Sequence, residues 1–283
     1  MQPYQNYFLV FLIFILCHCT QDKKAYPESI IAGKDTTSGI NEVKTAMNTV
    51  IDTAAIWERK EIPVLCYHHI RDFKPNESAS MKGYIVQVQA FKDQMKMLAD
   101  SGYHTILPDQ YYTYLTTGAP LPSKPFMITF DDTDEEQYSI GAAEMNKYGF
   151  KGVYFIMTIS IGRPRYMSRE QLKQLSDEGH VIGAHTWDHH KVTEYTDTDW
   201  DKQLTQSMRT LEDITGKKVE YFAYPFGVWN PSAFPELKKR GIEAAFQLST
   251  KRNRQEPLYT LRRMLVHGTW DANRMLKWMN INF

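Results

Sequence analysis

The apolar residues of this chain fall into short runs that alternate with longer amphipathic stretches. Eight nearly continuous apolar runs predict β-strands at 62–68, 103–107, 125–130, 152–157, 180–185, 221–225, 244–248 and 262–266. Stretches with helical spacing lie between most of them, at 89–101, 109–115, 135–148, 168–178, 199–215, 232–240 and 271–279. Several of these stretches are followed by a glycine, which favours a helix end there. Strands that are apolar along their whole length and alternate with helices predict a parallel sheet covered by helices.

Chain length narrows this fold class. Residues 61–283 are fewer than the ~250 of a typical full-size barrel, and they contain seven or eight strand–helix units. We therefore expect an α/β domain in the form of a distorted (β/α) barrel with seven or eight parallel strands. An open, doubly wound sheet is the alternative.

The N-terminal residues have the pattern of a targeting segment. Residues 7–16 are uninterrupted and apolar, but they are too short to cross a hydrocarbon core of about 30 Å. We interpret 1–19 as a signal peptide. Because Leu16 stands three residues before Cys19, the segment resembles a bacterial lipoprotein signal, which would leave a lipid anchor on Cys19. The protein is then an exported cell-envelope lipoprotein; an ordinary cleaved signal of a periplasmic or secreted protein, or a buried N-terminal helix, is the alternative.

The residues that follow, 20–60, read as a polar tether and a weakly periodic N-terminal helix. If Cys17 leaves with the signal and Cys19 carries lipid, Cys66 is the one cysteine left to the folded domain and an intrachain disulfide is excluded. Within an apolar run, Cys66 is expected to be a small buried side chain rather than a nucleophile.

Charge excludes one class of partner. Lys and Arg number 33, Asp and Glu number 33, and the formal net charge is zero. No bulk field draws the protein to a polyanion, so we expect no nucleic-acid binding. No feature of the sequence predicts an oligomeric state.

Ligand-type residues collect at the carboxyl ends of the predicted strands, where barrel active sites lie. The run 125–130 leads into Asp131 and Asp132, and 180–184 leads into His185 and His189. One carboxylate with two histidines makes a three-ligand metal set that leaves positions open for water and substrate, as in catalytic rather than structural sites. The other carboxylate would then face the substrate. Taken singly, an Asp pair is more often a cap or turn, and a histidine is more often not a ligand.

These residues carry a family resemblance. Thr129-Phe130-Asp131-Asp132, His185-Thr186-x-x-His189 and Ala223-Tyr224-Pro225-Phe226-Gly227 resemble three motifs of the polysaccharide deacetylases of the NodB-homology group, carbohydrate esterase family 4. The resemblance covers about 62–283, so 61–283 would be a polysaccharide deacetylase catalytic domain. It implies a hydrolase that removes N-acetyl groups from a cell-envelope or extracellular polysaccharide, such as poly-N-acetylglucosamine, peptidoglycan or a chitin-like glycan.

The resemblance also implies roles for individual residues. It implies a divalent metal, usually zinc, with cobalt or nickel as alternatives, held by Asp132, His185 and His189. Asp131 would be the general base, and the backbone amide of Phe226 would help to hold the oxyanion. Such a site polarises an acetyl carbonyl, activates water and stabilises the tetrahedral intermediate.

Two positions depart from the commonest family pattern. The general acid is usually a histidine near the C-terminus, which His267 would match, but His68 follows a predicted strand and resembles the Tyr-His of a circularly permuted subgroup that includes biofilm poly-N-acetylglucosamine deacetylases. We expect His68 to be the acid and His267 to lie in a surface loop. Many members place an arginine where this chain has Ala223, and Arg263 would supply the same charge to Asp131. The alternative is that Arg262 and Arg263 pair with surface carboxylates.

Two other functions use the same residues. An O-acetyl esterase would need the same site, because an ester leaves more easily than an amine. A catalytically inactive glycan-binding module would keep the fold, but it would not require the base Asp131 beside a complete ligand set.

Overall fold

The computed structural model describes residues 52–248 and 251–283. The predicted signal peptide (1–19), the proposed lipid anchor at Cys19 and most of the 20–60 segment lie outside the described residues. The end of the expected N-terminal helix is described as a short helix over Thr53–Glu58. Within the described ranges, no helix is both long enough and apolar enough to cross a membrane.

Ten strands occur in the described part of the chain. They are β1 (Val64–Tyr67), β2 (His69–Ile70), β3 (Ile85–Val86), β4 (His104–Thr105), β5 (Pro125–Asp131), β6 (Val153–Ile156), β7 (Val181–Ala184), β8 (Tyr221–Ala223), β9 (Ala244–Phe246) and β10 (Met264–Leu265). Seven of them form one parallel path in the order β10-β1-β5-β6-β7-β8-β9, with β4 added beside β5 and β2 paired separately with β3. The predicted parallel sheet is confirmed.

The sheet curls so far that one segment contacts both of its edges. Met264 of β10 pairs with Leu65 of β1, and Leu261, just upstream, bridges to Phe246 of β9. Residues 261–265 therefore lie between β1 and β9. This curl confirms a distorted barrel over an open doubly wound sheet.

The helices cover the outside of the sheet. They are α1 (Thr53–Glu58), α2 (Ala79–Gly83), α3 (Val88–Asp100), α4 (Pro108–Thr117), α5 (Ala143–Asn146), α6 (Arg169–Asp177), α7 (Ser207–Thr215), α8 (Ala233–Lys239) and α9 (Ala272–Asn282). Turns of π-helix at Gln137–Ala142 and Asp201–Gln206 lead into α5 and α7. The segment around β2, α2 and β3 was not predicted, because residues 69–86 contain no continuous apolar run of four or more residues.

Local sequence explains where the helices begin and what they bury. Ser168 accepts a hydrogen bond from the backbone N–H of Gln171, whose side chain accepts one from the backbone of Ser168, a capping box that starts α6. Helix α3 buries Phe91, Met95 and Leu98. Removing each such side chain from water contributes about 1.5–3 kcal/mol to folding.

Gly183 in β7 is required by a close approach. A Cβ built at this position would lie 2.6 Å from Cδ1 of Phe155 and 3.0 Å from the carbonyl oxygen of Tyr221. Phe155 is fully buried in β6 and has little room to move. The absence of a side chain at 183 therefore lets β6, β7 and β8 pack together.

We predict that Gly183→Ala destabilises the domain by about 1–3 kcal/mol, because overpacking a dense core forces its neighbours off their preferred positions. Urea unfolding at neutral pH measures this as a lower transition midpoint. An unchanged midpoint would contradict the tight packing of Phe155 on β7.

Candidate active site

Four parallel strands end at one edge of the barrel, and three of them are followed there by polar side chains. His68 follows β1, Asp131 ends β5 and is followed by Asp132, and His185 follows β7. The turn after β8 carries Phe226. The edge predicted from the sequence is therefore the place where these residues meet.

Asp132, His185 and His189 converge on one point. Oδ1 of Asp132 lies 3.5 Å from Nε2 of His185 and 3.4 Å from Nε2 of His189. Two ligands about 2.1 Å from one tetrahedral ion lie roughly 3.4 Å apart. Oδ1 of Asp132 and Nε2 of His185 are buried without a hydrogen-bond partner, although buried polar atoms are normally paired. The donor set and its two orphaned atoms fit a divalent cation.

The surrounding backbone sets the orientation of these ligands. Nδ1 of His185 lies 2.8 Å from the carbonyl oxygen of Ala223. A carbonyl only accepts, so Nδ1 carries the proton and Nε2 keeps a lone pair directed at the site. The His189 ring packs against His185 at 4.8 Å and Phe226 at 4.4 Å between centroids.

The site also concentrates unusual backbone conformations. Eight non-glycine residues of the described ranges have positive φ, and five belong to this edge: Asp132, Thr133, Thr186, His189 and Phe226. For a β-branched residue such as Thr133, with φ of 74°, this conformation is costly. Oγ1 of Thr133 accepts a hydrogen bond of 2.9 Å from the backbone N–H of Met157, which holds the turn in place.

Asp131 is held differently from its neighbour. Two guanidinium nitrogens of Arg263 donate to its two carboxylate oxygens at 2.6 and 2.7 Å, and both side chains are almost fully buried. Arg263 also donates to Oγ1 of Thr129 at 3.1 Å and lies over the ring of Phe155. Burial alone would raise the pKa of Asp131, but the adjacent Arg263 outweighs it and holds the pKa below the usual value. Asp131 is therefore an anion in the interior.

The two candidate acids lie in different surroundings. His68 is half-buried, with Nδ1 3.9 Å from Sγ of Cys66, and that thiol in turn lies 3.6 Å from Oδ2 of Asp131. Burial lowers the pKa of His68. His267 instead contacts Thr269 and packs against Gly83 of α2. The structure thus brings His68, and not His267, into contact with the residues around Asp131.

The sequence interpretation missed two further residues at this edge. Nδ1 of His69 lies 3.1 Å from Oδ2 of Asp134 and 3.2 Å from Oε1 of Glu136. Burial opposes a charge on His69, but hydrogen bonds to the two carboxylates outweigh it and raise its pKa to about 9. The second residue, Gln137, is fully buried between β1 and β5. The acidic residues 134–136 look like the charged start of a helix, and only the fold brings His69 to them.

An open groove of about 610 Å³ leads away from the ligand cluster. Its lining includes Asp132 and His189 together with His69, Arg71, Arg165 and Tyr166. Phe226 is 56% exposed beside His189. The site is thus accessible from solvent through this groove.

We predict that Arg263→Met lowers the free energy of unfolding by about 3–5 kcal/mol, because it leaves Asp131 as an uncompensated buried charge. The double variant Arg263→Met/Asp131→Asn should recover a large part of that loss in urea unfolding. Arg262→Met is the control, since Arg262 pairs with Glu61 near the surface and should cost about 1 kcal/mol or less. Fully additive losses in the double variant would contradict the coupling.

Comparison with known proteins agrees with this geometry. The sequence model of the polysaccharide deacetylase family matches residues 118–245. YxkH of Bacillus subtilis is 26% identical over 220 residues, covering 76% of each chain. A poly-β-1,6-N-acetyl-D-glucosamine N-deacetylase of Staphylococcus aureus is 27% identical over 209 residues, covering 66% of this chain and 72% of that protein.

A solved structure shows the same fold. The Streptococcus pyogenes deacetylase PplD, determined in complex with acetate, superposes with a TM-score of 0.71 at 21% identity, covering 78% of this chain and 98% of that one. The family model identifies residues 118–245 as a polysaccharide deacetylase domain, and the named relatives and the NodB-like fold extend this similarity over about three quarters of the chain.

Proposed function

We propose that this protein is a divalent-metal-dependent N-deacetylase that acts on a polysaccharide of N-acetylglucosamine units in the cell envelope. The observation that carries the proposal is that two neighbouring carboxylates have different partners. Asp132 faces His185 and His189, whereas Asp131 is held as an anion by Arg263. A binding module would need neither the orphaned ligand atoms nor a buried charge beside them.

Asp132, His185 and His189 would hold the metal. Two imidazoles and one carboxylate suit zinc best, and cobalt or nickel would also be accepted by this donor set. When bound, a divalent cation polarises the acetyl carbonyl and lowers the pKa of a water molecule.

Asp131 has the position and charge state of a general base. Its Oδ2 lies 3.9 Å from Nε2 of His185, so it faces the ligand cluster while Arg263 holds it from behind. We infer that Oδ2 takes the proton from the attacking water. The backbone N–H of Phe226, in the turn beside His189, would donate to the developing oxyanion.

His68 would act as the general acid. The leaving amine of an amide must be protonated before it departs, and His68 directly follows β1, the strand that pairs with the strand of Asp131. Because burial lowers the pKa of His68, its protonated form is a stronger proton donor than an exposed imidazolium.

The substrate class rests on the relatives and the groove. The Staphylococcus aureus relative is named for poly-β-1,6-N-acetyl-D-glucosamine. The groove beside Asp132 and His189 would receive neighbouring sugars of such a chain, and the exposed ring of Phe226, which packs against His189, could stack on a sugar face.

We predict that the zinc-loaded protein binds one equivalent of metal and frees acetate from poly-N-acetylglucosamine oligomers, and that a chelator abolishes turnover. Asp131→Asn should keep the metal and lose about 10²–10⁴ in kcat, as the loss of a general base does. His185→Ala should lose the metal. Acetate assays and metal analysis measure both.

Other results would point elsewhere. A protein that contains no metal and frees no acetate would be a glycan-binding module. Faster release from an O-acetylated glycan than from an N-acetylated one would indicate an esterase.

We predict that His68→Ala lowers kcat on the N-acetylated oligomer by about 10²–10⁴ and leaves the metal content at the wild-type level. His267→Ala, the matched control, should change kcat by less than about threefold, since His267 packs on α2. The reverse pattern in the acetate assay would assign the acid role to His267.

A further inference from the structure

The pairing of β1 with β5 ends next to the residues proposed as acid and base, although Asp131 still pairs with Phe155 of β6. Strands β1 and β5 pair in register from Val64 with Met127 to Tyr67 with Phe130. The next two residues along the strands are His68 and Asp131. They lie just past the last pair of β1 and β5, so a further contact between the two segments would help to set their separation.

One side chain joins the two segments beyond the last pair of β1 and β5. Nε2 of Gln137 donates to the carbonyl oxygen of His68 at 2.8 Å and to that of Asp131 at 2.5 Å. Both hydrogens of the amide are therefore used, one on each strand. Gln137 is fully buried and lies at the start of the π-helical turn before α5.

The remaining atom of this amide indicates that the contact is specific. Oε1 of Gln137 is buried and has no hydrogen-bond partner in the structure. Leaving such an acceptor unpaired costs about 1–3 kcal/mol. An apolar side chain of similar size would avoid this cost but could not join the two carbonyls.

The two catalytic side chains depend on this link to different degrees. Asp131 is also fixed by Arg263, through two short hydrogen bonds. Among the described residues, the His68 side chain makes a long contact of 3.9 Å to Cys66 and an edge contact with the ring of Tyr84, and no short hydrogen bond to it is found. Loss of the Gln137 amide should therefore displace His68 more than Asp131.

A second link keeps the two segments together when the amide is lost. His69 pairs with Asp134 and Glu136, which belong to the same turn as Gln137. A variant at 137 should thus shift His68 rather than unfold this edge of the barrel.

We propose that Gln137 is a positioning residue that sets the distance between the general acid His68 and the general base Asp131. The inference rests on the proposed deacetylase function, and it adds a role for a residue that lies outside the motifs and outside the metal ligands. Loss of the Gln137 amide should therefore slow reactions whose leaving group must be protonated more than reactions whose leaving group need not be.

Two substrates distinguish the contribution of the acid His68 to turnover from that of the base Asp131. Release of acetate from an N-acetylglucosamine oligomer needs both, because the amine must be protonated as it leaves. Hydrolysis of an aryl acetate such as 4-nitrophenyl acetate still needs activated water, but its leaving group departs without a proton from the enzyme.

The test compares Gln137→Met with the wild type on both substrates, using zinc-loaded full-length protein. We expect kcat on the oligomer to fall at least tenfold with KM within about twofold, while turnover of the aryl acetate stays within about threefold. In a His68→Ala background, Gln137→Met should cost less than about threefold more on the oligomer, because residues that act as a unit are not additive.

Gln94→Met is the control for a lost buried amide. Gln94 is fully buried on α3, where its side chain contacts the hydroxyl of Tyr67 and the carbonyl of Trp270. Its substitution should lower the thermal midpoint without changing the ratio of oligomer to ester turnover. If Gln137→Met does not fold, Gln137→Asn supplies the same comparison, since its shorter amide cannot span both carbonyls.

Equal losses on the two substrates, or a full additional loss in the His68→Ala background, would overturn the positioning role and leave the proposed function intact. A wild-type protein that frees no acetate from any N-acetylated oligomer would instead refute the proposed function, and this inference with it.

Discussion

The contact between Arg263 and Asp131 keeps a negative charge inside the protein, where burial alone would neutralise it. Arg263 belongs to the segment that joins β9 to β1 and so closes the curled sheet, between Leu261 and Met264. The closure of the barrel and the charge of the proposed base therefore depend on the same few residues. The ring of Phe155 lies under the guanidinium, so the core packing of the barrel supports the pair from below.

Two neighbouring carboxylates acquire different chemistry because the backbone changes between them. Asp131 is the last residue of a strand and turns inward to Arg263, whereas Asp132 has a φ of 76° and faces the two histidines. Its side chain is 27% exposed, against 2% for Asp131. A difference of one residue along the chain thus separates a metal-facing oxygen from a buried, arginine-held one.

Much of the fold was readable from the sequence because parallel strands buried on both faces are apolar along their length. All eight predicted strands exist, although 103–107 shortens to His104–Thr105 and 262–266 shortens to Met264–Leu265. The motif residues were readable because they follow those strands directly. Contacts between residues far apart in the chain could not be predicted from the sequence. The roles of His69 and Gln137 depend on partners in a distant part of the chain.

The sequence also could not show which of two adjacent arginines is buried. The order of Arg262 and Arg263 in the chain does not say which side chain turns into the interior. In the extended segment before β10 the two side chains point to opposite faces, so Arg262 reaches Glu61 near the surface and Arg263 reaches Asp131 in the interior. Arg263 is therefore the expected charge partner of Asp131, and Arg262 forms the expected ion pair near the surface.

The most direct test of the account is a crystal structure of the zinc-loaded protein with anomalous diffraction at the zinc edge. The account predicts one strong anomalous peak within bonding distance of Asp132, His185 and His189, with Asp131 still bound to Arg263. A peak at another cluster, or Asp131 released from Arg263 to ligate the metal, would contradict it.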